Sequence, residues 1–275
     1  MKAVDLYHFS GTGNTLLIVQ SMARTFLDRG VAVRLHPIET TDSFRIAISD
    51  TLGLAFPVAV QSTYPFVWRF INALPKGEGK PAFLVDTLAG YSGGIVRPLR
   101  DLLLRKGYVP LGAKEIIMPN NLSKTPASET ANASIIRKGM DQAIAFAAAL
   151  ATNRTEWKTG FLTEYGMLFM YLLAIGMMSK PVQRLLSKAV FLNIDAKRCA
   201  RCHLCVSLCP VGNIRLPDGK RDSVPKIGNT CQLCMRCVAY CPSSAIHFGR
   251  WNRGGERYHA VSLSEIQRYY RNDIE

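Results

Sequence analysis

Eight cysteines limit what this chain can become more than any other feature does. All of them fall between Cys199 and Cys241, and they form one pattern written twice. The first copy is Cys199, Cys202, Cys205 and Cys209, followed by Pro210. The second is Cys231, Cys234, Cys237 and Cys241, followed by Pro242. Each reads C-x2-C-x2-C-x3-C-P, a spacing that sets thiolates around a cubane iron–sulfur cluster. Two copies predict two [4Fe–4S] clusters, and with them traffic in electrons. Disulfides would need an oxidising compartment, for which nothing in the sequence argues. Zinc usually takes ligands two plus two, often with histidine, and two identical four-cysteine runs ending in Cys-Pro fit it poorly.

The doubled run resembles that of bacterial ferredoxins. In that arrangement three thiolates wrap one cluster, and the fourth, past the turn, reaches the other. The resemblance implies Cys199, Cys202, Cys205 and Cys241 on cluster I, and Cys231, Cys234, Cys237 and Cys209 on cluster II. The repeat extends past the cysteines: Ile214 follows Pro210 by four, as Ile246 follows Pro242. A pseudo-twofold unit with small strands over the clusters is expected, joined by a polar loop across Pro217–Gly228. Arg201, His203 and Arg236 sit among the ligands. Their charge would favour the reduced, more negative cluster; the other reading is a solvated basic face.

At 275 residues the chain has room for two domains, and 48% hydrophobic content supports real cores. No cysteine lies outside the two runs, and Met1 leads into a strand pattern without a signal-peptide layout, so a cytoplasmic protein is expected. The net charge is +14. Residues 1–150 carry 16 basic and 11 acidic side chains, residues 151–195 carry 5 and 3, and residues 196–275 carry 13 and 6, giving +5, +2 and +7. The cysteine-bearing end is the most basic per residue. That charge suits an acidic redox protein of the ferredoxin or flavodoxin type, or a larger redox enzyme. Nucleic acid is not expected, because no aromatic-interleaved basic stripe occurs. A membrane surface and a homodimer stay open.

The first half alternates strand and helix patterns. Strands are expected near 3–9, 31–36, 51–56, 81–86 and 110–118, with helices near 14–29, 64–74, 94–106 and 128–151. Five strands with intervening helices predict an α/β fold, a doubly wound five-stranded parallel sheet that binds ligands at the carboxyl ends of its strands. The first of those ends carries Ser10, Gly11, Thr12, Gly13, Asn14 and Thr15. Small residues let backbone amides converge at a helix N-terminus, which makes a phosphate cradle without lysine or arginine. A Walker A loop would need Gly-Lys-Ser/Thr, and a dinucleotide fingerprint would need a third glycine where Leu16 stands.

S-G-T-G-N-T resembles the FMN phosphate loop of flavodoxins, and the likeness runs over about residues 1–150. It implies a flavodoxin-like domain whose isoalloxazine ring is held by two further loops. These are Phe56, Pro57 and Val58, and Thr87, Leu88, Ala89, Gly90, Tyr91, Ser92, Gly93 and Gly94. Glycines in the second loop would let amides approach the ring. Phe56, Tyr64 and Tyr91 are candidates to stack on it, with core packing as the other reading.

Together the two halves resemble the EFR1-type flavodoxin–ferredoxin fusion proteins, with further echoes in Met118-Pro119-Asn120-Asn121 and Asn193-Ile194-Asp195. The expected division is a flavodoxin-like FMN domain at 1–152, a helical connector at 153–192, an α+β ferredoxin-like domain at 193–250 and an extension at 251–275. The resemblance implies electron transfer between two [4Fe–4S] clusters and FMN, coupling one-electron to two-electron chemistry in anaerobic metabolism. The alternative is a cluster-fed, FMN-dependent reductase of a small unsaturated or carbonyl substrate, with Tyr64, Tyr91 or His8 as its acid. No nicotinamide-nucleotide site is recognisable, so NADH and NADPH alone are not expected to reduce the protein. The uncharged run Tyr165–Met178 is shorter than the ~20 residues of a spanning helix; it reads as a buried connector, a membrane-surface helix or a partner surface. Ser262 and Glu265 form a capping-box pattern for a terminal helix.

Overall fold

The computed structural model describes the chain except residues 43–44, 60, 91–93, 122–127, 158–171, 173–175, 177–191, 218–221, 249–256 and 272–275. Near-continuous apolar runs make the first sheet, because a parallel strand is covered on both faces. Its strands are β1 (Ala3–His8), β2 (Ala32–Pro37), β3 (Thr51–Pro57), β4 (Pro81–Leu88) and β5 (Val109–Ile117). They pair in parallel in the order β2-β1-β3-β4-β5, the flavodoxin-like doubly wound arrangement. β3 is buried along six of its seven residues. Helices α1 (Asn14–Leu27), α2 (Pro65–Ala73), α3 (Val96–Arg105) and α4 (Glu129–Ala151) connect or follow the strands. Every one of these nine elements lies where the pattern placed it, with ends agreeing to two residues or better.

Alternation along the strands feeds two cores. Val4, Leu6, Phe83 and Val85 pack with α1 and α4, whereas Tyr7, Phe9, Leu52, Leu54 and Leu84 pack with α2 and α3. Strand order reverses between β1 and β3, so the loops that leave their carboxyl ends part and open a crevice. α2 begins with Pro65 in its first turn, and α4 is capped by Ser128, which accepts the Ala131 amide.

The cysteine-bearing half is built from short antiparallel pairs. β6 (Leu192–Ile194) pairs with β9 (Ile246–Phe248), and β7 (Ile214–Arg215) with β8 (Lys226–Ile227). Single-turn helices α5 (Leu204–Ser207) and α6 (Arg236–Ala239) follow the second cysteine of each run. The repeat is visible in the backbone. Arg201, His203 and Gly212 have left-handed φ values of 51°, 60° and 60°, and their counterparts Leu233, Met235 and Ser244 have 58°, 63° and 48°. Ile214 and Ile246 are both buried in the small core of this half.

The C-terminal helix α7 (Leu263–Arg271) returns to the first half. Its capping box forms: Ser262 Oγ accepts the Glu265 amide, and Glu265 accepts the Ser262 amide. Ile266 and Val261 then join the core beside α1. The run Tyr165–Met178 lies outside the described residues except for Leu172 and Gly176, both helical. Among the described residues no helix is long and apolar enough to cross a membrane.

Candidate functional site

The loop after β1 closes on itself through Ser10. Its buried hydroxyl oxygen accepts the amides of Gly13 and Leu16, each at 3.2 Å. Gly13 caps α1 at φ 97°, a value that only glycine adopts cheaply. The amides of Gly11, Thr12, Asn14 and Thr15 find no acceptor among the described residues. Four such donors around one turn at a helix N-terminus form an anion site, so the loop fits a phosphate. The hydroxyls are held in place: Thr15 Oγ1 lies 2.8 Å from Thr87 Oγ1, and Thr12 Oγ1 accepts Asn121 Nδ2 at 3.2 Å. Asn14 donates to the Pro119 carbonyl and accepts from the Tyr258 hydroxyl. The Met118–Asn121 segment is thus the outer rim of the loop.

The loops after β3 and β4 meet. The Val58 amide donates to the Thr87 carbonyl at 2.8 Å, and Gly94 packs so closely on the Gln61 carbonyl that a Cβ could not be fitted. Leu88 is half-buried, and Ala89 and Gly90 are exposed beyond the strand end; Tyr91, Ser92 and Gly93 lie outside the described residues. Of the two readings for Phe56 and Tyr64, the structure favours core packing. Phe56 is fully buried in the core beside α2 and α3, and the Tyr64 ring packs edge-on against Phe9 and stacks with Phe66. A strand end surrounded by bulky apolar neighbours draws such rings inward. Of the three candidate acids Tyr64 and His8 are buried, and Tyr91 lies outside the described residues. Burial first, then the neighbouring Cys234, raises the Tyr64 hydroxyl far above its usual value. Burial lowers His8 to about 3, and its ring stands edge-on to Tyr269 at 5.0 Å.

Sequence reasoning passed over a carboxyl pair. Asp86 in β4 lies opposite Glu115 in β5, and neither Asp86 oxygen has a partner among the described residues. Burial first, then Glu115, holds the Asp86 carboxyl well above the ordinary carboxylate range, which favours its neutral form.

The cysteines of the two runs are close enough to act on one another. Burial pushes Cys205 up to about 11, and the thiolates that add to this are Cys202, Cys241 and Cys199. Burial likewise pushes Cys234 up to about 12, with Cys231 and Cys209 adding their charge. Burial first, then Cys234, Cys231, Cys209 and Cys205, also holds the Cys237 thiol well above its usual value. Backbone amides point at the sulfurs: Asn213 to Cys209 at 3.2 Å, Ala245 to Cys241 at 3.3 Å and Leu233 to Cys231 at 3.4 Å. Among the described residues no three metal-ligating side chains converge on a site for a single ion. Cubane ligands stand on four separate iron corners, so neighbouring thiols with amide donors to sulfur fit such a cluster.

The two sites share a wall. Gly11 packs against the Cys234 carbonyl, where no Cβ would fit, and a Cβ on Gly13 would stand 2.8 Å from the Val261 amide. The Ala260 amide donates to the Thr12 carbonyl at 2.8 Å, and the Phe66 amide to Gln232 at 3.1 Å. Arg236, 2% exposed, fastens the junction. Its Nε and Nη2 donate to the Ser10 carbonyl at 3.2 and 2.7 Å, Nη1 donates to the Leu208 carbonyl at 3.3 Å, and Nη2 also reaches Glu39. The Phe9 ring lies under the guanidinium at 4.7 Å. Arg201, by contrast, is exposed, so the cations read together in the sequence have opposite surroundings.

Residues 198–246 match the model of the 4Fe-4S dicluster domain family. No curated protein matches the chain. Solved structures similar to it include the two-electron reduced flavodoxin of Megasphaera elsdenii, with 19% identity over 54% of this chain and 98% of that one and a TM-score of 0.41. A Streptococcus pneumonia flavodoxin has 18% identity over 54% and 99%, with a TM-score of 0.40. The rubredoxin oxygen:oxidoreductase of Desulfovibrio gigas has 19% identity over 55% of this chain and 36% of its own, with a TM-score of 0.38.

Proposed function

We propose that the chain is an electron-transfer flavo-iron-sulfur protein of the EFR1-type flavodoxin–ferredoxin fusions, cytoplasmic, holding two [4Fe–4S] clusters and FMN. The observation that carries this reading is the shared wall: an anion-binding loop whose Gly11 is packed on the backbone of Cys234. Bound there, the clusters supply one-electron steps and the flavin links them to two-electron chemistry.

The chain's own residues divide the work. Cys199, Cys202, Cys205 and Cys241 hold cluster I; Cys231, Cys234, Cys237 and Cys209 hold cluster II. The four free amides of the Ser10–Thr15 loop take the FMN phosphate, helped by the Thr12 and Thr15 hydroxyls. Backbone at Pro57, Val58 and Leu88–Gly90 lines the ring position, and Asn121 and Thr87 keep the hydroxyls aimed. Arg236 puts a desolvated cation beside the cluster II ligands, which favours the more negative, reduced state there. Amide donors to Cys209, Cys231 and Cys241 act in the same direction.

The test is anaerobic purification with iron, sulfide and FMN analysis, followed by spectroelectrochemical titration. Cluster and flavin bands that both titrate in one protein support the reading. Zinc in place of iron, or reconstituted clusters with no retained flavin, would overturn it.

A further inference from the structure

The two cysteine runs share one backbone and have opposite surroundings. In the second run Met235, Arg236 and Cys237 are 3%, 2% and 9% exposed; Arg236 donates to the Ser10 carbonyl of the phosphate loop, and the Cys234 carbonyl is packed on Gly11. Their counterparts His203, Leu204 and Cys205 are only half-buried, and Arg201 and Cys202 are exposed. Cations gather at the open run. Lys197, Arg198 and Arg201 are exposed within five positions of one another, and Arg257 is close enough to Arg198 and Cys241 to feel their charge. The carboxylate in this stretch, Asp195, is half-buried and accepts the Lys197 amide at 2.9 Å.

We propose that the Lys197–Arg198–Arg201 face around Cys199 and Cys202 is the docking surface for an acidic one-electron carrier protein. Charge complementarity names the occupant: a compact cationic face steers an anionic partner and turns away a cationic one. The position names its purpose, because Cys202, next to Arg201, is exposed, while the equivalent Cys234 is only partly exposed and has its carbonyl packed on Gly11. The open run is therefore the outward port of the molecule and the buried run its inward port. This inference rests on the cluster reading above, and the visible absorption of the clusters checks that reading in the same sample.

The test uses the full-length, cluster-loaded protein and an acidic bacterial two-cluster ferredoxin as probe. Association is followed by biolayer interferometry at rising salt. Lys197→Glu with Arg198→Glu is compared with Arg137→Glu and Lys138→Glu, a pair exposed on α4 that changes net charge by the same amount. The first pair is expected to slow association about tenfold at low salt with little change in dissociation, and the second to leave it unaltered. Wild-type association should fall steeply with salt. Equal rates for both pairs, or salt-independent binding by a sample with intact clusters, overturns the proposal. Co-sedimentation with phosphatidylserine vesicles that the first pair abolishes, while the ferredoxin still binds, would hand the face to a lipid surface and overturn it too. Where the double variant loses its cluster absorption, Lys197→Glu alone and the wild-type salt dependence decide the matter.

Discussion

Arg236 shows how much one buried charge can hold together. A guanidinium out of water is costly unless its donors are all occupied, and here two carbonyls, a carboxylate and an aromatic face receive them. Arg236→Gln leaves Glu39 buried without its cation, and should cost about 3–5 kcal/mol of stability in anaerobic thermal unfolding. Arg236→Lys should recover only part of it, because an ammonium cannot fork across Ser10 and Leu208 at once. Full recovery by lysine would show that charge alone suffices. His8 makes a second residue-scale prediction, with the opposite sense of charge. Its ring is neutral in the folded protein down to about pH 3, whereas an unfolded histidine protonates near pH 6.5. Above that value the two states hold the same protons and His8 adds no slope. Below it the unfolded chain gains a proton that the fold refuses, so stability falls by up to about 1.4 kcal/mol per pH unit. His8→Phe should flatten the decline between pH 6.5 and 5 in urea unfolding; an unchanged slope would place the proton elsewhere.

Among the elements, the Ser10–Thr15 loop has two duties, and the glycines report them separately. Gly11→Ala drives a Cβ into the Cys234 carbonyl, whereas Gly90→Ala meets nothing within 4 Å. The first should weaken FMN retention at least tenfold by fluorescence titration, with the second close to wild type. Similar losses in both would detach the domain contact from cofactor binding. The nine elements of the first half were legible because hydrophobic period and turn chemistry are local. The loop was legible for the same reason: its glycines and hydroxyls are consecutive. Phe56 and Tyr64 were not, since an aromatic at a strand end looks the same whether it faces a ligand or the core. Nor was the inward turn of the second run, where Arg236 finds Ser10 across 226 positions of sequence. Arg201 and Arg236 both sit among the cysteines in the sequence; only the neighbour packed on one side tells them apart.

At the scale of the whole molecule, the first core does not end with the first half. Leu208, Ala239, Tyr240, Val261 and Ile266 complete it from beyond residue 200, and the C-terminal helix closes over His8. The cysteine-bearing half is therefore built into the flank of the sheet rather than hung from it. The Ala260–Thr12 and Tyr258–Asn14 bonds add a second seam on the far side of the same loop. Proteins whose redox centres ride on hinged arms slow down in thick solvents, because diffusion of the arm limits each transfer. Here Gly11 packs directly on the Cys234 carbonyl, and Arg236 and Ala260 bond to the same loop, so a swing between the two sides would break those contacts. Internal electron equilibration after a light pulse should keep its pace as glycerol is added, while delivery from an outside carrier drags with the solvent.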